Sequence, residues 1–166
     1  MKRLALVCLA LITVALPLAG QPKFGVTATA TPGTDFTKLK TYVWQSGWDA
    51  NDKTVHAAIT AAVDKELKTL GFEKKSAGPS DVVVKYATLR RIDVQLSTKT
   101  IGADMPRTQI DVGSLLLVML DPVASKELWR ARVDQPIEID MAKMEATVNG
   151  AVTAIFAQYP TRLKKK

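Results

Sequence analysis

The stretch DVVVKYATLRRIDVQL at residues 81–96 decides the fold, because apolar and polar side chains alternate along most of its length. One parity carries Val82, Val84, Tyr86, Thr88, Ile92, Val94 and Leu96. The opposite parity carries Lys85, Arg91, Asp93 and Gln95. A period of two residues predicts a long β-strand with one buried face. Arg90 interrupts the apolar parity, and we therefore expect a bend or a bulge at this position.

Two more strands follow this one. Residues 110–120 form the most apolar segment, with an unbroken apolar run over residues 115–120, which is typical of a central strand. Residues 121–125 predict a turn. Residues 128–133 alternate again and predict the hairpin partner of residues 110–120.

The segment between the first two of these strands, residues 97–109, is predicted to be a loop. It contains Gly102 and Pro106 and few sizeable apolar side chains. Loops longer than about 12 residues are commonly functional or disordered. We therefore expect a mobile loop at the sheet edge that trypsin cleaves early, after Lys99 or Arg107.

On the N-terminal side, two short strands precede a helix. Residues 25–31 alternate alanine or valine with threonine, and residues 41–44 read as a second strand. From Lys53 the period changes to that of a helix, whose apolar face comprises Val55, Ile59, Ala62, Val63, Leu67 and Leu70. Either Asn51 or Asp52 can cap its start. Gly71 suits the left-handed position after its end, with Phe72 folding back onto Leu67.

A polar linker at residues 73–80 follows the first helix and precedes the three strands described above. A second helix is predicted after these strands. Its apolar stripe comprises Met144, Val148, Ala151, Val152, Ile155 and Tyr159. Asp140 is the expected N-cap, and Pro160 ends the helix. Gly150 costs about 1 kcal/mol relative to alanine and is compatible with close packing on the sheet. The predicted fold is α+β, with the order β-β-α-β-β-β-α, an antiparallel sheet of about five strands and both helices on one face.

The N-terminus has the features of an export signal. Lys2 and Arg3 precede an apolar stretch at residues 4–16, which is too short to span a bilayer. Leu18-Ala19-Gly20 resembles the start of a bacterial lipobox, but Gln21 occupies the position of the lipid-bearing cysteine. We therefore expect a signal peptide at residues 1–20, a single domain at 21–160, a basic tail at 161–166 and no lipid anchor. The single cysteine, Cys8, excludes an intrachain disulfide.

The formal charge of +7 is concentrated at the chain ends. Without the six basic residues at 2–3, 162 and 164–166, the chain has 17 basic and 16 acidic residues. A nearly neutral body does not predict nucleic-acid binding. The terminal basic run is typical of a solvated tail, and the alternative is a contact for an anionic membrane surface or for acidic polymers.

The sequence resembles a known family along nearly all of the expected mature chain. The resemblance is carried by DFTKLKTYVW at residues 35–44, AAVDKEL at 61–67 with Gly71-Phe72, and DVVVKY at 81–86. It continues through GSL at 113–115, LWR at 128–130 and Tyr159-Pro160. This series is similar to the bacterial domain of unknown function 4136 family. The resemblance implies an envelope lipoprotein or secreted protein, and it supplies no reaction and no catalytic residues.

Candidate catalytic groups are few. His56 is the only histidine, and Asp52 precedes it at helical spacing, so the two side chains are a weak candidate for a metal site. Ser114 lacks the glycine pattern of a nucleophile elbow and reads as a strand serine. Glu138 and Asp140 are compatible with a hydrolase carboxylate pair, although helix capping explains them more simply. No phosphate-binding glycine loop is present in the sequence.

Three tryptophans complete the candidates for a binding surface. Trp44 and Trp129 lie in strand patterns and are expected in the core. Packing is also favoured for Trp48, although it is the best candidate for an exposed ring.

We assign no catalytic, metal-binding or cofactor-binding residue and expect no cofactor. The predicted function is that of an exported, non-catalytic cell-envelope domain, periplasmic or secreted, that binds a protein or a cell-wall or membrane component. The alternatives are an envelope hydrolase with an unrecognised site and a purely structural or stress-related role.

Overall fold

A computed structural model describes residues 25–96, 107–138 and 140–163. In chain order the elements are β1 Val26–Ala30, β2 Thr41–Trp44, α1 Lys53–Thr69, β3 Glu73–Lys74, β4 Val82–Leu96, β5 Arg107–Leu120, β6 Glu127–Pro136 and α2 Met141–Ala157. The strands form one sheet in the order β1-β6-β5-β4-β2-β3. Both helices pack against the same face of it, as predicted, and the buried core lies between the two layers.

The sheet is mixed and has six strands, so the prediction of an antiparallel sheet of about five strands is wrong in part. β2 pairs in parallel with both β3 and β4, whereas the β4–β5, β5–β6 and β1–β6 pairs are antiparallel. α1 provides the long crossover that a parallel neighbour requires. β3 has only two residues within the predicted polar linker, too few to show any periodicity.

The predicted irregularity at Arg90 is absent from the β4–β5 ladder. Pairing runs without a shift from Val83 opposite Leu120 to Leu96 opposite Arg107. Arg90 is on the apolar face of β4, at the point where the strand extends beyond the helices that cover this face, and its guanidinium is exposed. The arginine therefore interrupts the sequence pattern without disturbing the backbone. The register shift lies instead between Met119 and Leu120, against β6.

Residues 107–109, predicted as the end of the long loop, belong to β5, so that part of the prediction is wrong. The remaining residues of that predicted loop, 97–106, lie outside the described part of the chain, as do the predicted signal peptide and residues 164–166. Neither described helix, each of 17 residues, is long and apolar enough to cross a membrane.

The ends of α1 confirm their predictions. Asp52 caps the start, where its carboxylate accepts from the Thr54 and Val55 backbone N–H groups at 2.7 and 3.1 Å. Gly71 has a φ of 83°, and the Phe72 N–H donates to the Leu67 carbonyl at 3.0 Å. This is a Schellman ending, which satisfies carbonyls that the helix leaves free and turns Phe72 back into the core.

One end of the core is filled by aromatic rings. Tyr159, just after α2, contacts Phe36, Phe72 and Trp129 with ring centroids 5.6, 6.3 and 5.2 Å apart, all edge to face. Phe156 lies 5.7 Å from Trp129. Edge-to-face pairs of this kind add about 0.5–1.5 kcal/mol each beyond the burial of their area. We call this group the aromatic end of the core.

Candidate functional site

A groove lies at the opposite end of the core, where both helices begin. Its volume is about 540 Å³, within the range of about 300–1,000 Å³ that is usual for small-molecule sites. The N-terminal halves of α1 and α2 form its walls, and β4, β5 and β6 form its floor. The side chains that decide its chemistry are Val55, Ile59, Leu115, Val133, Met144, Thr147, Val148 and Ala151.

The interior of the groove is mainly apolar. Leu115, Val133 and Met144 are buried parts of its lining, and Val148 is half-buried. Gln135 is the main polar side chain on the floor, and its amide donates to the Thr147 carbonyl at 3.4 Å. A lining with few free hydrogen-bond donors and acceptors favours an apolar ligand, because burying an unpaired polar group costs free energy.

The rim of the groove combines charge with exposed apolar side chains. Arg90 donates to Asp111 through Nε at 3.1 Å and Nη2 at 2.8 Å. This hydrogen-bonded pair raises the pKa of Arg90. Leu89 of β4 and Ile137 after β6 belong to the lining, and both side chains are exposed. The rim therefore offers apolar surface to solvent beside a paired charge.

A second, smaller pocket of about 380 Å³ is more polar and contains His56. The Nδ1 atom of His56 lies 2.6 Å from the Tyr86 hydroxyl, which also accepts from the Ala50 N–H at 3.0 Å. Burial is the main cause of the raised pKa of Tyr86. The histidine thus positions a buried tyrosine below the start of α1.

Asp64 of α1 joins the helix to β2 and β3. Its Oδ1 atom accepts from the Tyr42 hydroxyl at 2.7 Å and from Trp44 Nε1 at 2.8 Å, and its Oδ2 atom pairs with Lys74 at 2.7 Å. Burial and then the hydrogen bond to Asp64 raise the pKa of Tyr42 well above its usual value. These three bonds tie α1 to β2 and β3, so the Asp64 carboxylate has a structural role in the fold.

Ser114 lies in a charged cluster on the sheet face opposite the helices. Its hydroxyl oxygen accepts from Arg91 at 3.3 Å and from Arg132 at 3.0 Å. Arg91 also pairs with Asp93 and Asp134, and Arg132 pairs with Asp134. Burial acts to raise the pKa of Asp134, but hydrogen bonds from Ser114 and both arginines outweigh it and lower the pKa. Ser114 is a strand serine, as predicted.

The side chains of the two weakly predicted pairs, Asp52 with His56 and Glu138 with Asp140, each form hydrogen bonds with groups other than the paired side chain. Asp52 caps α1, whereas His56 contacts Tyr86, so the two side chains have different partners. Asp140 caps α2 by accepting from the Ala142 N–H at 3.0 Å, and Glu138 accepts from the Asp140 N–H at 2.9 Å. Among the described residues, no three His, Cys, Asp or Glu side chains are arranged to hold a metal ion.

The three tryptophans occupy three different environments. Trp129 is 1% exposed and belongs to the aromatic end, as predicted. Trp44 is half-buried against the core and bonded to Asp64. The preference for packing at Trp48 is wrong, since its side chain is 73% exposed. The Trp48 carbonyl accepts from the Thr88 N–H. A Cβ at Gly47 would overlap the Tyr86 carbonyl oxygen, so only glycine permits this close approach.

Sequence reasoning missed the groove, although it identified both helical faces that line it. Val55 and Ile59 in α1 and Met144 and Val148 in α2 were assigned to the core as parts of apolar stripes. The usable signal is that these positions carry aliphatic side chains or methionine, whereas the residues toward and beyond the ends of the helices include the larger aromatic rings of Phe72, Phe156 and Tyr159. Periodicity shows which face is buried and does not show how completely the space is filled.

Comparisons with known proteins agree with the fold. The sequence profile of the family described as "Domain of unknown function (DUF4136)" matches residues 26–161. A search of curated proteins finds no match.

Several solved structures are similar to this chain. A DUF4136 family protein from Bacteroides thetaiotaomicron is 11% identical with a TM-score of 0.52, over 87% of this chain and 100% of its own. A PelC dodecamer from Paraburkholderia phytofirmans is 12% identical with a TM-score of 0.55, over 86% of this chain and 99% of its own. A PDZ domain protein from Parabacteroides distasonis is 16% identical with a TM-score of 0.58 over 85% of this chain, which spans only 36% of that protein. At these identities the similarity establishes the fold alone.

Proposed function

The chain belongs to the DUF4136 family, whose function is unknown, and on that premise we propose that it is an exported, non-catalytic binding domain of the bacterial cell envelope. Its ligand is an acyl chain of a membrane component, held in the groove between the helices and the sheet. The observation that carries this proposal is the mainly apolar groove of about 540 Å³ with an exposed apolar rim.

The lining of the groove favours an acyl chain over a peptide. A peptide would bring backbone N–H and C=O groups that require partners when buried. Gln135 already bonds to the Thr147 carbonyl, so the floor has little capacity to satisfy those groups. An acyl chain has no such requirement, and each CH₂ group that leaves water contributes about 0.8 kcal/mol.

Export is supported by Lys2, Arg3, the apolar run at residues 4–16 and the small residues before Gln21. We expect material from the native compartment to begin at or near Gln21 and to carry no lipid. Intact-mass measurement tests this. A full-length cytoplasmic product or a diacylglycerol adduct contradicts the export proposal.

The non-catalytic role is supported by what the candidate groups do in the fold. Asp52 and Asp140 cap helices, and the Ser114 hydroxyl accepts from two arginines. The alternative is an envelope hydrolase whose site sequence patterns do not reveal. A hydrolase activity screen on the exported chain separates the two, since reproducible turnover that a point substitution abolishes would replace the binding proposal.

Acyl binding is tested by titrating the exported chain with a fluorescent fatty acid. Thr147→Trp fills the groove from α2, whereas Ala146→Trp adds the same side chain at the neighbouring exposed position outside the lining. We expect saturable binding by the wild type and by Ala146→Trp, and at least a tenfold loss of affinity in Thr147→Trp. Equal affinity in both variants, or no binding by the folded wild type, contradicts an acyl ligand in the groove.

A further inference from the structure

The two edges of the sheet differ in how well they are protected against pairing with another chain. β3 has two residues, Glu73 and Lys74, and both side chains form ion pairs. Short, charged strands of this kind discourage pairing between edges. β1 at the other edge reads VTATA over residues 26–30, without a charge or a proline, and its register against β6 has no bulge.

The register shows which backbone groups β1 presents at its free side. The Thr31 N–H donates to the Leu128 carbonyl at 2.8 Å, and Thr31 follows directly on Ala30, which lies opposite Trp129. In an antiparallel pair, alternate residues direct both of their backbone groups to the partner strand. Thr27 and Thr29 therefore bond to β6. The N–H and C=O groups of Val26, Ala28 and Ala30 point away from it, and no described strand lies on that side.

We propose that β1 pairs antiparallel with β1 of a second copy of this chain, about a two-fold axis at Ala28. In this register Val26 lies opposite Ala30 of the other copy, and Ala28 lies opposite itself. Three residues with one N–H and one C=O each then form six hydrogen bonds across the axis, which use every edge group of β1 in both copies. An isologous pair of this kind closes as a dimer and joins two six-stranded sheets into one.

The side chains around β1 are compatible with this pairing. Thr27 lies opposite Thr29 of the other copy, a cross-strand combination that favours hydrogen bonding. The neighbouring arginines of β6 are paired with acids within their own copy, Arg130 with Glu127 and Arg132 with Asp134. The two β6 strands would be three strand spacings, about 14 Å, apart, which exceeds the screening length of about 10 Å at 0.1 M salt. Repulsion between like charges therefore does not oppose the dimer.

Sedimentation of the exported chain tests the proposal directly. We expect the mass of a dimer for the wild type and of a monomer for Ala28→Pro, which removes an edge-facing N–H that β6 does not use. Thr27→Pro is the contrasting variant, because it removes an N–H bonded to β6 and should lower the melting temperature. A wild type that is monomeric at all concentrations, or an Ala28→Pro chain that stays dimeric, overturns the proposal.

Disulfide trapping provides a second test that does not depend on proline. On a Cys8→Ser background, Ala28→Cys places the sole cysteine at the axis. The Cα atoms of a hydrogen-bonded antiparallel pair are about 5.5 Å apart, a distance that suits a disulfide. We expect rapid linkage of Ala28→Cys chains. Val123→Cys, at a turn position that is 93% exposed, is the collision control. Equal linkage at both positions overturns the proposal, and so does its absence at position 28.

Discussion

The aromatic end and the groove end of the core are built from the same two helices and the same sheet, but they are filled differently. At the aromatic end, Trp129, Phe156 and Tyr159 are at most 1% exposed and pack ring against ring. At the groove end, Val55 and Val148 are only partly buried. Close packing supplies stability, whereas incomplete filling leaves room for a ligand. We therefore expect substitutions at one end to change folding and substitutions at the other to change binding.

The largest effect is expected at the aromatic end. Trp129→Ala should lower the free energy of unfolding by about 3–5 kcal/mol, because it removes a buried ring and leaves a cavity. Chemical denaturation measures this value. Trp48→Ala is the matched control, since its ring is 73% exposed and exposed substitutions usually stay within about 0.5 kcal/mol. Similar losses in both variants would mean that the aromatic end does not dominate stability.

The next effect concerns the groove. An acyl ligand at 100 times its dissociation constant should raise the free energy of unfolding by about 2.7 kcal/mol, since it binds the folded state alone. Thermal unfolding with and without the fatty acid measures the change. Thr147→Trp should show no such gain, whereas Ala146→Trp should retain it. A gain that persists in Thr147→Trp would place the ligand elsewhere.

Two buried tyrosines, Tyr42 beside β3 and Tyr159 at the aromatic end, differ in whether the hydroxyl has a hydrogen-bond partner. Tyr42→Phe should cost about 1–2 kcal/mol, because the hydroxyl donates to the Asp64 carboxylate. The Tyr159 hydroxyl is buried and finds no hydrogen-bond partner among the described residues, so Tyr159→Phe should raise stability by about 1 kcal/mol. Chemical denaturation of both variants measures the two changes in the free energy of unfolding. A loss in Tyr159→Phe would show that its hydroxyl has a partner.

Substitution of Gly150 is expected to have a smaller effect, on stability and not on ligand affinity. A Cβ at this position meets no atom within 4 Å, so the glycine does not serve close packing on the sheet. Gly150→Ala should therefore stabilise α2 by up to about 1 kcal/mol through helix propensity. Fatty-acid affinity should stay unchanged, because Gly150 does not line the groove. An altered affinity would mean that the groove depends on the flexibility of α2.

The mildest test uses pH. Hydrogen bonds from the Lys40 and Thr41 N–H groups and the Thr41 hydroxyl outweigh partial desolvation and lower the pKa of Asp81 below its usual value. A depressed folded-state pKa contributes stability above the unfolded value, and this contribution is lost as pH falls through the folded value. Stability should therefore decline below about pH 4. Asp81→Asn should have a shallower decline in acid unfolding curves, and an unchanged curve would assign the acid sensitivity to other carboxylates.

Local signals were sufficient for most individual elements. β2 has its predicted bounds, and the ends of α1 follow from Asp52, Gly71 and Phe72. These features depend on interactions between residues close in sequence, which a pattern can capture. Arg90 shows the limit of the method. The sequence records a polar residue in an apolar series and cannot distinguish an irregular backbone from a strand that extends beyond its covering layer.

The candidate site required contacts that are distant in sequence. Val55 and Met144 line one groove although they lie in different helices, and Tyr86 contacts His56 across 30 positions. The segment that carries the exposed Trp48 lies along β4, where Gly47 passes close to Tyr86 and the Trp48 carbonyl accepts from the Thr88 N–H. No local pattern encodes such distances.

The sequence by itself determined the α+β class, the helix ends, the apolar faces of both helices and the neutral body with basic termini. Only the tertiary structure decided that β2 runs parallel between β3 and β4, that β1 is an edge strand among the described strands, and that the core is full at one end and open at the other. The physical reason is that periodicity reports which side of an element avoids water. The direction, order and spacing of the elements depend on how all of their faces fill space together.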